Sequence, residues 1–168
     1  MFGKTFIIAL ILMISMGSIT IAQTPAKLDQ FDYWGAYSYE VNNGTVCYVL
    51  SMPIAQAPTT VNHGDNFFLV SKRTAGGAVI FEPQFMAGYS LRNGSYVTVS
   101  VGKRHFRLFT KGSSAWVDTA QDEANLVAIM KSDSTMTVKA ISERGTNTTY
   151  TYSLKGITAA LKAIQKCK

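Results

Sequence analysis

The sequence predicts a mostly β fold: an antiparallel β-sandwich or barrel with two short helices, one of them at the C-terminus. Three observations carry that prediction. Short runs of β-branched and aromatic residues alternate with polar ones and are separated by Gly, Asn and Pro turn signals. Helical spacing of apolar residues is confined to two stretches, one following Thr119 and one closing the chain. At 168 residues the chain suits one domain and is short for two.

Residues 23–30 read as a short polar lead, and 31–168 as a single β-rich domain. Residues 33–40 alternate and are rich in aromatics; Asn42-Asn43-Gly44 then signals a tight hairpin, because Asn and Gly tolerate positive φ. Residues 45–52 return as the partner strand, and 53–64, with two prolines, form a loop. Residues 67–72 are a continuous apolar strand, and Gly76-Gly77 turns the chain. Pro83 breaks 79–89, which therefore reads as a bent or edge strand at best. In 95–101, Val97, Val99 and Val101 share one face; Gly102-Lys103 is the turn, and 104–110 the partner strand. A loop at 112–114 leads to 115–117.

The first helix has Thr119 as its cap, with Asp122 three residues later, and Ala120, Ala124, Val127 and Met130 along one face. Ser132-Asp133-Ser134 ends it. A strand pair follows at 135–142 and 148–154, and Gly156 stops the second strand. The closing helix, 158–166, turns Ala160, Leu161 and Ile164 inward.

Lys4 precedes an uncharged stretch, 5–22, with an apolar centre at 6–13 and small residues at Thr20 and Ala22. This is the three-part pattern of a cleaved secretory signal, residues 1–22, with Gln23 as the new N-terminus. An uncleaved anchor is the alternative, but Gly17, Ser18 and Thr20 weaken the span and its length is at the lower limit. The expected location is periplasmic, or secreted to the cell surface, with a soluble mature domain. Cys47 and Cys167 are the two cysteines. An oxidising compartment favours one disulfide between them, the alternative being two buried thiols. Cys167 lies near the inward face of the closing helix and Cys47 inside a strand, so a bridge would pin that helix to the sheet.

The whole chain carries 16 Lys+Arg against 10 Asp+Glu, a net charge of +6. That excess favours an anionic surface, lipid or polysaccharide, or an envelope or host protein, as partner. No dense basic stripe points to nucleic acid. The chemistry-bearing patterns are missing: no Gly-x-Ser-x-Gly elbow, no Cys-x-x-Cys pair, no Gly-rich phosphate loop. His63 and His105 share no metal spacing, and His63 reads as a solvated loop residue. No catalytic residue, metal or cofactor is therefore assigned, and the chain reads as a non-enzyme. One surface feature stands out. Alternation after Gly102 points Lys103, His105, Arg107, Phe109 and Lys111 to one side, a basic row with one aromatic, and this is the candidate interaction face.

A set of marks in order along the chain resembles a known family. They are Trp34-Gly35-Ala36-Tyr37, Val46-Cys47-Tyr48 with Pro53, Gly88-Tyr89, Phe106-x-Leu108-Phe109 and Trp116. Met136-x-Val138-Lys139, Ser142-x-Arg144-Gly145-Thr146, Tyr152-Ser153-Leu154-x-Gly156 and the helix ending in Cys167 follow. The chain is similar to the invasion-associated locus B family, small exported proteins of alphaproteobacteria, over about residues 31–168. It departs from the family at Arg73-Thr74, where Arg-Pro is expected. The resemblance implies a role linked to bacterial entry into host cells. The chain itself is expected to act as a non-enzymatic envelope or secreted protein that binds a partner; a carrier of a small apolar ligand or an unrecognised enzyme is the alternative. It brings no catalytic residues.

Protein recovered from the periplasm is expected to begin at Gln23 by intact-mass measurement. A membrane-bound species retaining Met1 would establish the anchor instead.

Overall fold

A computed structural model describes residues 24–167. The proposed leader and its cleavage point after Ala22 lie outside the described residues. The elements are β1 (Ala26–Phe31), β2 (Trp34–Val41), β3 (Gly44–Ser51), β4 (Ala55–Ala57), β5 (Phe67–Ala75) and β6 (Ala78–Met86). They continue with β7 (Tyr96–Val101), β8 (Arg104–Lys111), β9 (Ser114–Val117), α1 (Ala120–Met130), β10 (Thr135–Ile141), β11 (Asn147–Ser153) and α2 (Ile157–Gln165).

All eleven strands belong to one sheet, in the order β1-β2-β3-β5-β6-β9-β8-β7-β10-β11-β4. Every pairing is antiparallel. The end strands do not pair with each other, so the sheet is open and the barrel alternative gives way to a sandwich-like fold. The sheet doubles over. Phe68 on β5 meets Tyr152 on β11 with ring centres 5.9 Å apart, and Phe85 on β6 meets Tyr150 at 5.6 Å. Those strands are far apart in the sheet order, so their apolar faces meet across the core. The Trp34 indole on β2 donates to the Ser153 carbonyl of β11 at 3.0 Å, which satisfies a buried polar group at the same junction.

The turns follow from residue chemistry. Gly76 and Gly77, at φ 57° and 80°, form the two-residue β5–β6 turn with Ala75 opposite Ala78. Gly102, at φ 55°, opens the β7–β8 turn. In the first hairpin the two turn residues are Asn42 and Asn43, and the positive φ, 136°, falls on Gly44 where β3 begins.

Four sequence expectations are corrected. Most of the polar lead is β1, an edge strand paired with β2 and broken by a bulge between Lys27 and Asp29. Its residues are nearly all exposed, so it shows no apolar alternation. The loop at 53–64 contains β4, held to β11 by pairing of Ala55, Gln56 and Ala57. The strand carrying Pro83 is not an edge: β6 pairs with β5 along its whole length and with β9 through Gln84–Met86. Pro83 falls just beyond the reach of β9, where a missing N–H leaves no ladder bond broken on that side. On α1 the buried residues are Glu123, Leu126, Val127 and Met130, whereas Ala120 and Ala124 are exposed. Burial of Leu126, Val127 and Met130 sets this face, and Arg73 on β5 accommodates Glu123 on it, pairing with Glu82 and reaching both Glu123 carboxylate oxygens at 3.4 Å. Burial pushes the Glu123 carboxyl above its ordinary range, and Arg73 counters it.

α2 buries Ile157, Ala160, Leu161 and Ile164 and packs on β1, β2, β3 and β5. Gly156, at φ 98°, precedes it; a Cβ there would collide with the Phe31 carbonyl. Cys167, just past α2, is disulfide-bonded to Cys47 on β3, with the Cα atoms 6.4 Å apart. Lys72 also donates to the Cys167 carbonyl. The bridge closes a loop of 120 residues. In the chain-entropy model that is worth about 4–5 kcal/mol against a total stability of about 5–15 kcal/mol. Cys167→Ser is therefore expected to lower the melting temperature markedly in oxidised protein and to leave reduced protein nearly unchanged. Two titratable thiols in unfolded, unreduced protein would refute the pairing.

Candidate functional site

The candidate face lies on the outside of the doubled sheet. Along β8 the side chains alternate: Phe106 and Leu108 are in the core, and His105, Arg107, Phe109 and Lys111 are exposed. Lys103 occupies the exposed turn before the strand. Arg104 is exposed as well, with its guanidinium 5.7 Å from the centre of the Phe106 ring.

Register adds neighbours that the strand alone does not reveal. Tyr96 on β7 lies opposite Phe109, and Phe109 lies opposite Trp116 on β9. Three aromatic residues thus form one row across three strands. Phe109 and Trp116 stack with ring centres 5.8 Å apart, and the Arg107 guanidinium covers the Tyr96 ring at 3.8 Å. Tyr96 remains 48 % and Phe109 40 % exposed, large values for rings on a sheet face. One step along the strands, Lys139 on β10, Thr98 on β7 and Arg107 form a second row. Lys111 lies one step beyond Phe109 on the other side. His105 shares a 2.8 Å hydrogen bond with the Ser100 hydroxyl. Beside Tyr96, a shallow groove of about 350 Å³ is bounded by Thr98, Lys139, Ile141, Asn147 and Thr149.

The electrostatics of this face are one-sided. Strands β7 to β11 contain four cations, Arg104, Arg107, Lys111 and Lys139, and not a single Asp or Glu. Carboxylates stand just outside these strands: exposed Asp118 directly follows β9, two residues past Trp116, and Asp133 lies at the turn bearing Gly102.

A second feature was hidden from the sequence. His63 is not a solvated loop residue; it is 3 % exposed. Its Nε2 faces the Pro58 carbonyl at 2.8 Å and its Nδ1 the Tyr150 hydroxyl at 2.9 Å. A carbonyl only accepts, so Nε2 carries a proton. The Tyr150 hydroxyl is 3.0 Å from that of Tyr89, which is 2.6 Å from Thr148 Oγ1. Burial, and then the bond with Tyr89, push the Tyr150 phenol well above its ordinary range, so it stays protonated. Asn66 fastens the same loop by donating to the His63 and Gly64 carbonyls while its own oxygen accepts from the Gly88 N–H. Gly88 is required there, because a Cβ would come within 2.6 Å of the backbone at residues 63–65.

Above this chain opens a cavity of about 430 Å³, with Tyr89, Ser142, Glu143, Arg144 and Thr148 among its lining. Both ring nitrogens of His63 are engaged, one by the Pro58 carbonyl and one by the Tyr150 hydroxyl, so the histidine clamps the loop to β11. Among the described residues no group of three or more His, Cys, Asp or Glu side chains could hold a metal ion, and no helix is long and apolar enough to cross a membrane.

The model of the family described as Invasion associated locus B (IalB) protein matches residues 34–165. The chain belongs to the invasion-associated locus B family. The matched span runs from β2 to the end of α2 and includes the whole candidate face, while β1 and Cys167 flank it. This IalB protein also resembles the crystal structure of invasion associated protein B from Bartonella henselae, at TM-score 0.58 and 12 % identity. The likeness covers 82 % of this chain and 96 % of that one, and it is a likeness of fold. A search of curated proteins found no match.

The His63 clamp makes its own prediction. Tyr150→Phe leaves Nδ1 of a buried imidazole without its partner, and is expected to cost about 1–3 kcal/mol in denaturant unfolding with an unchanged m-value. A neutral result would show that the Tyr150–His63 bond does not hold the loop.

Proposed function

We propose that this IalB protein is exported and acts outside the cytoplasm as a non-enzymatic binding protein, at the bacterial surface or the host interface, with an anionic partner. The observation that carries this reading is the outer face of strands β7 to β11, which contain no Asp or Glu and on which Arg107, Lys111 and Lys139 flank an exposed aromatic row. Family membership supports the setting, and the disulfide supports an oxidising compartment. A carrier of a small apolar ligand is less favoured. The space between the layers is filled by Trp34, Phe68, Phe85, Tyr150 and Tyr152, the cavity at His63 carries Glu143 and Arg144 in its walls, and the apolar pocket between β6 and α1 is small, about 260 Å³.

Contacts between exposed charges weaken as salt shortens the Debye length from about 10 Å at 0.1 M. The mature protein is therefore expected to bind isolated envelopes or host-cell membranes in a salt-sensitive way. An Arg107→Glu/Lys111→Glu variant, folded by circular dichroism, should bind roughly tenfold more weakly. Equal binding by parent and variant at low salt would place the contact on another face.

A further inference from the structure

We propose that the partner of the outer face is an acidic polysaccharide, bound along the lane Trp116–Phe109–Tyr96 and into the groove beside it. This inference rests on the binding role proposed above and names its ligand class.

The lane has the length of a polymer site. Register carries it across β9, β8 and β7, and the groove bounded by Tyr96, Ile141 and Asn147 continues it across β10 and β11. Five adjacent strands, about 4.7–4.9 Å apart, give a track on the order of 20 Å along the sheet surface. A single ion or small metabolite needs far less.

The lane also has the chemistry of a sugar site. The face of an aromatic ring carries partial negative charge, and the C–H groups on one side of a pyranose carry partial positive charge, so the two pack face to face. Phe109 and Tyr96 are half-exposed, with the Arg107 guanidinium over one face of the Tyr96 ring. The charges fall on either side of this track. Arg107 and Lys139 share one flanking row, and Lys111 stands on the other side of Phe109. Same-face positions along a strand repeat about every 6.6–7 Å, so the cations match separated carboxylates or sulfates better than one concentrated charge. Thr98 stands between Arg107 and Lys139, and Thr149 and Asn147 lie beyond on β11; these neutral groups both donate and accept hydrogen bonds and so suit hydroxyls. Strands β7 to β11 carry no Asp or Glu, so repulsion of an incoming polyanion is confined to Asp118 at the Trp116 end of the track.

A lipid surface fits less well. It rewards apolar side chains that project into the acyl region together with a dense cationic rim. Here the apolar element is a flat row stacked within itself, with Arg107 covering Tyr96, and neutral hydrogen-bonding groups are interspersed with the cations around it.

The chain reports its own binding. Of its two tryptophans, Trp34 is fully buried and Trp116 lies in the lane. Titration of oxidised mature protein with size-fractionated polyuronate oligosaccharides should change tryptophan fluorescence saturably, and neutral dextran of equal size should not. Phe109→Ala and Arg107→Glu, both exposed positions, should each weaken the polyuronate by roughly tenfold, with unfolding midpoints unchanged. The Arg107→Glu loss should shrink at high salt, whereas the Phe109→Ala loss should persist.

Vesicles of phosphatidylglycerol and phosphatidylcholine form the second arm. Binding to vesicles without binding to polyuronate would overturn the polysaccharide proposal and leave an anionic lipid as the partner. Binding to envelopes with neither probe bound would overturn it while the wider binding role stands. Polyuronate binding insensitive to both substitutions, or matched by dextran, would also overturn it.

Discussion

Two tyrosines on one strand hold this fold closed. An open sheet of eleven strands has no reason to double over unless its inner face finds a partner, and β11 supplies one. Tyr150 and Tyr152 project from the same side and meet Phe85 and Phe68, which lie on strands remote in the sheet order. The Trp34 bond to Ser153 anchors a third strand at the same line. The inner face must therefore be apolar along nearly every strand, and the period of two then hands the alternate positions to the outside. The exposed row on β8 exists because Phe106 and Leu108 have to face inward.

This dependence explains what was legible in the sequence. Val97, Val99 and Val101 declare an inner face by simple alternation, and Gly76-Gly77 and Gly102 declare turns by the φ values they permit. The face of α2 and the partners of the disulfide could be read because each rests on local spacing or on a count of two cysteines. What stayed hidden depends on pairing at a distance. β1 and β4 are short strands of mostly exposed residues, joined to the sheet by backbone bonds that leave no apolar pattern. On α1, Glu123 is buried because Arg73, 50 residues away, stands over it. The burial of His63 is set by Tyr150, 87 residues later.

The candidate site divides in the same manner. Alternation alone placed His105, Arg107, Phe109 and Lys111 together on the outside. Tyr96, Trp116 and Lys139 joined them only through register, since no spacing within a strand says which residue of the next strand will stand opposite. The sequence thus showed a basic row, and the sheet turned it into an aromatic row with cations on both flanks. The aromatic part is the less expected of the two, because a basic outer strand is ordinary and a connected row of exposed rings is not.

The 120-residue separation of the two cysteines has a consequence for how the chain is made. A polypeptide emerging from its N-terminus presents Cys47 long before Cys167 exists outside. Over the same interval Trp34, Phe68 and Phe85 have no β11 to cover them. The early half of the molecule is therefore a sticky intermediate with a reactive thiol, dependent on whatever chaperone or thiol-protecting partner its compartment provides. Only the last fifth of the chain ends that exposure, capping the thiol and covering the aromatic face almost together. Late synthesis errors or truncations in this protein thus strand an aggregation-prone half-sheet rather than a smaller folded domain.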